Sequence, residues 1–231
     1  MLPSEATIVL EIGARHGDIT RRLAERFERV TALDLSMPKF TIAGVEAVAG
    51  NVEALQFSED SFDCVVCTEV LEHVPNVAEA ARELARVSRK YVFVGVPYRQ
   101  DTRVGRTTCI TCGKISPTYG HINSFDENRV KELFPGLRTV TLEYCSENTE
   151  RTNALSAWLQ DLGLNPYGTY EQQEPCIFCG SKLIRPGKAS LARRVASASG
   201  ARLYEFQRRF RKPLPTWILL LLQKVPASSR D

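Results

Sequence analysis

An order of strand, glycine turn, amphipathic helix and strand recurs through the first hundred residues and narrows the folds open to this chain more than any other feature. TIVLEI, residues 7–12, is a β-rich run that stops at Gly13, and the amphipathic stretch Asp18–Phe27 follows it. RVTALDL, residues 29–35, reads as a second strand with Asp34 near its end, residues 45–51 as a third and residues 62–70 as a fourth. Val77, Ala80, Ala81, Leu84 and Val87 then fall at helical spacing, and Tyr91–Val96 is a continuous apolar run of the buried-strand type. Such alternation specifies an α/β fold with a parallel sheet and helices on both faces, whose ligands bind beyond the carboxyl ends of the strands.

Past residue 97 the rhythm loosens. A cysteine-containing loop precedes a helix at Asp126–Phe134 and a strand at Thr139–Tyr144, and TWILLLLQK from Thr216 reads as a last buried strand. The expected architecture is a Rossmann-like, doubly wound, mostly parallel seven-stranded sheet with a zinc-bound insertion. Its 231 residues suit one such domain with an embellishment. The predicted divisions are a core at 1–147, an insertion at 148–215 with a cysteine pair and a basic helix, and a final core strand and tail at 216–231.

EIGARHG, residues 11–17, sets an acid before a glycine turn that opens a helix, so that backbone can approach a ligand. Asp34 follows about 20 residues later, where a carboxylate can accept hydrogen bonds from ribose hydroxyls. GNVEALQFSEDSFDCVVCTEVLEHV, residues 50–74, resembles the third- and fourth-strand blocks of class I S-adenosylmethionine-dependent methyltransferases, of the type 11/12 kind. The resemblance covers roughly residues 7–145 and implies a cofactor site. Asp34 would hold the ribose, with Leu35 beside it, and Asn51 and Val52 would meet the adenine. Gly13 and Gly17 would surround the methionine moiety, and Glu11 would anchor its amino acid end. Two residues depart from the family pattern. Arg15 stands for the usual middle glycine, which an ordinary φ and an outward side chain would tolerate, and Asn51 stands for a common aspartate.

Glu69, Glu72 and His73 have i, i+3, i+4 spacing, so a helical turn after the fourth strand would project all three to one side. His121, in GHINSF, would approach the same sheet edge. The segment resembles metal-dependent O-methyltransferases of ubiquinone precursors and of RNA terminal ribose. The likeness implies Mg or Mn on Glu69, Glu72, His73 and His121, activating an acceptor hydroxyl. The alternative is a metal-free pocket with Glu69 beside the cofactor and His73 or His121 as general base.

Four of the seven cysteines form two CxxCG units, Cys109–Cys112 and Cys176–Cys179. The matched spacing points to a structural zinc ion held by all four thiolates, against unligated thiols or two local disulfides. Cys64 and Cys67 lie on opposite faces of a strand and are expected in the core, and Cys145 is expected to be a small apolar filler.

Basic residues exceed acidic ones by only three, so overall charge selects no partner. The start has no leader pattern and the longest apolar run, Trp217–Leu222, is too short to span a bilayer, which predicts a cytoplasmic protein. From Lys188 to Lys212 arginines accumulate beside Leu191, Val195, Ala198, Leu203, Phe206 and Phe210. Nucleic acid or weak peripheral contact with an anionic membrane fits this stretch, and so does the solvated face of an ordinary helix. The leading functional expectation is O-methylation of a small-molecule or glycan-type acceptor. RNA ribose 2′-O-methylation and a catalytically silent zinc-stabilised binding module are the alternatives.

Overall fold

The computed structural model describes residues 1–187 and 189–225; Lys188 and the tail from 226 to 231 lie outside the described residues. In chain order the larger elements are β1 (Ile8–Ile12), α1 (Asp18–Ala24), β2 (Arg29–Asp34), β3 (Val45–Ala49), β4 (Phe62–Thr68), α2 (Val77–Val87) and β5 (Ser88–Pro97). There follow β6 (Thr107–Thr108), β7 (Ile115–Ser116), α3 (Glu127–Leu133), β8 (Leu137–Asn148), α4 (Ala154–Leu162), α5 (Leu191–Arg208) and β9 (Leu214–Lys224).

The chain divides into two compact units. The first comprises Met1–Tyr98, Phe125–Cys145 and the segment from Trp217, and the second comprises Arg99–Ser124 with Ser146–Thr216. This differs from the expected divisions at 1–147, 148–215 and 216–231, because the first CxxCG unit pairs with the second and takes residues 99–124 with it.

The first unit holds a seven-stranded sheet in the order β3-β2-β1-β4-β5-β9-β8. Strands β1 to β5 are mutually parallel, and β9 runs antiparallel to β5, with Val94 opposite Leu220. β1 and β4 are buried on both faces, as continuous apolar runs should be, and their alternate residues feed two cores. Leu10, Val65, Cys67 and Val92 join Ala80 and Leu84 of α2 and Val130 of α3 on one face. Val9, Cys64, Val66 and Phe93 join Leu23 of α1 and Phe27 on the other. Cys64 and Cys67 therefore belong to opposite cores, and burial raises both thiols, Cys64 to about 12. Cys145, expected as a filler, is exposed on β8, where much of the strand is solvated.

Local chemistry fixes the helix starts. Asn76 caps α2 by accepting from the Glu79 amide, Asp126 caps α3 through Arg129, and Asn153 caps α4 through Ser156.

In the second unit β6 and β7 form a hairpin, and α4 packs on α5. The α4–α5 contact is very close. A Cβ on Gly200 would lie 2.8 Å from the Ser156 carbonyl oxygen, and one on Gly163 would lie 2.3 Å from Ser197 Cβ.

Candidate functional site

The parallel strands deliver the ends of β1, β2 and β3 to one edge of the sheet, and backbone hydrogen bonds tie them there. The amides of Gly13 and Ala14 both donate to the Leu33 carbonyl, at 2.8 and 3.2 Å, and Gly50 donates to the Asp34 carbonyl at 2.8 Å. Gly13 and Gly17 have φ of +85° and +81°, in the left-handed region that favours glycine. Space matters as well. A Cβ on Gly13 would lie 2.4 Å from Val70 Cγ2, and one on Gly17 would lie 2.8 Å from the Phe40 ring.

Asp34 turns its carboxylate toward this turn, and Oδ2 accepts from the Arg15 amide at 3.0 Å. Arg15 departs from expectation, because its φ is +40° rather than ordinary. The three-residue span between Gly13 and Gly17 turns tightly, and the arginine within it takes a left-handed backbone. Its side chain does point outward and is exposed.

Asn51 lies just beyond β3, exposed, with Oδ1 accepting from the Glu53 amide at 3.0 Å, and Val52 is buried beside it. Leu35 is 77 % exposed immediately after Asp34.

Glu11 is buried at the end of β1, and its Oε2 has no hydrogen-bond partner. Burial pushes its pKa up to about 7, the nearby Asp34 charge adding to the rise and the Thr20 hydroxyl opposing it. A buried acid with an unused oxygen suits a cationic ligand group.

After β4 the chain departs from the helical projection expected for Glu69, Glu72 and His73. Glu69 has φ +58° and precedes a single 3-10 turn at Leu71–His73, so the three side chains do not stack on one helix face. Glu69 is exposed, whereas Glu72 is fully buried with neither carboxylate oxygen hydrogen-bonded. Desolvation raises Glu72 to about 7, Glu69 adding to this while its own backbone amide and the Arg15 charge oppose it. His73 is half-buried, and its amide donates to the Val70 carbonyl at 2.9 Å. Neither the i, i+3, i+4 spacing nor the resemblance announces the positive φ of Glu69.

His121 belongs to the second unit and is buried there. Its Nδ1 lies within hydrogen-bond distance of Gln100 Oε1, at 2.6 Å.

The four CxxCG cysteines converge within the second unit. Cys109 and Cys179 sulfurs are 3.7 Å apart, as are those of Cys112 and Cys176, and all four lie within 4.8 Å of one another. The two loops repeat one backbone geometry. Gly113 and Gly180, at φ +72° and +69°, each donate 2.8 Å to the carbonyl of the first cysteine of their loop. Cys109 and Cys176 each donate 2.9 Å to the residue after the glycine. Burial works to raise the Cys176 thiol, but the Ser116 hydroxyl and the Phe178 and Cys179 amides pull it down to about 6.

Residues 10–93 match the family model described as a methyltransferase domain. A ubiquinone biosynthesis O-methyltransferase of Paracidovorax citrulli is 29 % identical over 98 residues, covering 38 % of this chain and 41 % of that one. The chain spans about two-fifths of the length of the curated relatives it matches. Among solved structures, an S-adenosylmethionine-dependent methyltransferase from Mesorhizobium loti is similar in fold, with a TM-score of 0.53 at 14 % identity over 97 % of this chain and 94 % of that one. A 1,6-didemethyltoxoflavin-N1-methyltransferase from Burkholderia thailandensis, solved with S-adenosylhomocysteine, gives 0.52 at 16 % identity over 95 % and 71 %. Residues 10–93 thus match a methyltransferase domain, and the chain shares the Rossmann-like fold of S-adenosylmethionine-dependent methyltransferases.

Proposed function

We propose that this protein transfers the methyl group of S-adenosylmethionine to a hydroxyl oxygen of a small-molecule or glycan-type acceptor. The observation that carries the reading is the pair of acids at the ends of β1 and β2, one aimed at the glycine turn and the other buried with an oxygen unused. S-adenosylmethionine, when bound, supplies an electrophilic methyl group on a sulfonium. The chain's own residues fit it. Asp34 accepts the ribose hydroxyls, Leu35, Asn51 and Val52 flank the adenine, and Gly13 and Gly17 let backbone approach the methionine moiety. Glu11 faces the ammonium end. Oxygen is preferred as acceptor because the curated relatives are named O-methyltransferases.

His73 and Glu69 are the proposed catalytic side chains of the first unit, the His73 imidazole taking the acceptor proton as general base where no metal is bound; His121, in the second unit, is the alternative base. In the metal-bound alternative, Glu72 and His73 would hold a divalent cation, Mg²⁺ or Mn²⁺, that would lower the acceptor hydroxyl's pKa, and His73 would then not serve as the base. The left-handed Glu69 is the least suited of the four expected ligands.

Incubation with methyl-labelled S-adenosylmethionine and a panel of catechols, sugars, nucleosides and an RNA oligonucleotide tests the function. The expected result is label on a small hydroxyl acceptor, lost in Asp34→Ala and reduced in His73→Ala and His121→Ala with S-adenosylhomocysteine affinity intact. Label on RNA ribose would replace the acceptor class, and activity unchanged by EDTA would remove the catalytic cation.

The four cysteines are proposed to hold a structural zinc ion. Tetrahedral Zn–S bonds of about 2.3 Å set sulfur–sulfur separations near 3.8 Å, close to those found here. Four thiolates leave no open position for catalysis, so the ion's contribution is to folding.

A further inference from the structure

We infer that the outer face of α5 docks on the anionic surface of a lipid bilayer. Leu191, Val195, Ala198, Arg202 and Phe206 follow one another at steps of four, three, four and four residues, which sets them in one stripe along a helix of about 27 Å. An ordinary amphipathic helix would turn such a stripe inward. Here the buried positions are Ser197 and Gly200, on the opposite side, because the close approach to α4 admits only small residues. The apolar members of the stripe are left outside, with Leu191 75 %, Val195 57 % and Phe206 60 % exposed, and the Phe210 ring packs tilted against Phe206 at a centroid separation of 5.1 Å.

Charge decides the occupant. Residues 182–212 carry ten Lys and Arg against the single acid Glu205, a net of +9 in a chain whose total is +3. A second copy seated on this face would bring two such stretches together, which like-charge repulsion opposes. Nucleic acid would satisfy the arginines but offers nothing to the aliphatic Leu191 and Val195. An anionic bilayer satisfies both, the apolar side chains entering the acyl boundary while Arg202 and Arg209 reach the headgroups. No helix among the described residues is long and apolar enough to cross a membrane, so α5 would lie in the plane of the interface.

Flotation of the full chain with two vesicle preparations tests this: phosphatidylcholine alone, and phosphatidylcholine with about 30 % phosphatidylglycerol. The expected result is binding to the anionic vesicles only, weakened roughly tenfold or more by the double variant Phe206→Asp, Phe210→Asp and roughly fivefold by each of Arg202→Gln and Arg209→Gln. These exposed positions lie outside the proposed cofactor and zinc sites, so unchanged helical signal and S-adenosylhomocysteine affinity serve as the folding controls. The inference is overturned by equal binding to neutral vesicles, by no vesicle binding, or by full binding in the double aspartate variant. It is equally overturned by a dimer that the same substitutions dissolve, or by an RNA oligonucleotide binding tighter than the anionic vesicles.

Discussion

Asp34 Oδ2 accepts the Arg15 amide at 3.0 Å, which fastens the end of β2 to the turn that leaves β1. In the proposed function the same carboxylate accepts the ribose hydroxyls. One hydrogen bond thus serves both the turn and the proposed cofactor grip, and it explains how a non-glycine residue is kept at φ +40°.

Replacing Arg15 with glycine should relieve that backbone while leaving its amide in place. The expected gain is about 1 kcal/mol in unfolding free energy by urea titration, with cofactor affinity retained. A loss of stability would show that the Arg15 side chain contributes more than its backbone costs.

Gly13→Ala should be severe, because the new methyl meets Val70 Cγ2 and the backbone φ is +85°. A loss of about 2–4 kcal/mol is expected, read as a lowered urea midpoint, with cofactor affinity falling in step. Adding Val70→Ala should recover part of the steric cost but not the cost of the φ.

Glu11 makes stability depend on pH with a definite sign. Its folded pKa of about 7 exceeds the ordinary glutamate value of 4.5, so the folded state keeps a proton that the unfolded chain has released. The stabilisation is complete below about 4.5 and is lost as pH rises through about 7, amounting to at most about 3 kcal/mol. Glu11→Gln should flatten that slope in thermal melts across about pH 5–8. A bound ammonium should reverse the preference by favouring the carboxylate, so wild-type affinity for S-adenosylhomocysteine should climb through the same range.

Zinc analysis of freshly purified protein should give about one ion per chain. Cys112→Ser should lose it and lower the melting temperature, since only Tyr170 and Leu183, among the described residues, complete the small buried core formed by Cys109 and Cys176. A melt unchanged by the substitution would remove the zinc proposal.

Much of this was legible in the sequence, and the reason is periodicity. The runs in β1, β4 and β5 are apolar because both faces of the sheet are covered, and the acids at 11 and 34 stand out because they end such runs. The cysteine cluster was legible because two identical CxxCG spacings rarely arise without a shared ligand. The rest depended on contacts between distant residues. The approach of Gly200 to Ser156 decides which face of α5 is outward, and nothing within 191–208 reveals it. The pairing of Cys109 with Cys179 carries residues 99–124 into the second unit, whereas local pattern assigns them to the core. The left-handed backbone at Glu69 likewise breaks a ligand spacing that looks intact when read linearly.

Calorimetric titration with S-adenosylhomocysteine, of the wild-type chain beside Asp34→Ala, tests the central claim most directly. The account predicts one site per chain in the wild type and a loss of roughly 100-fold or more in the variant. No heat with the wild type, or equal affinity in the two proteins, would contradict it.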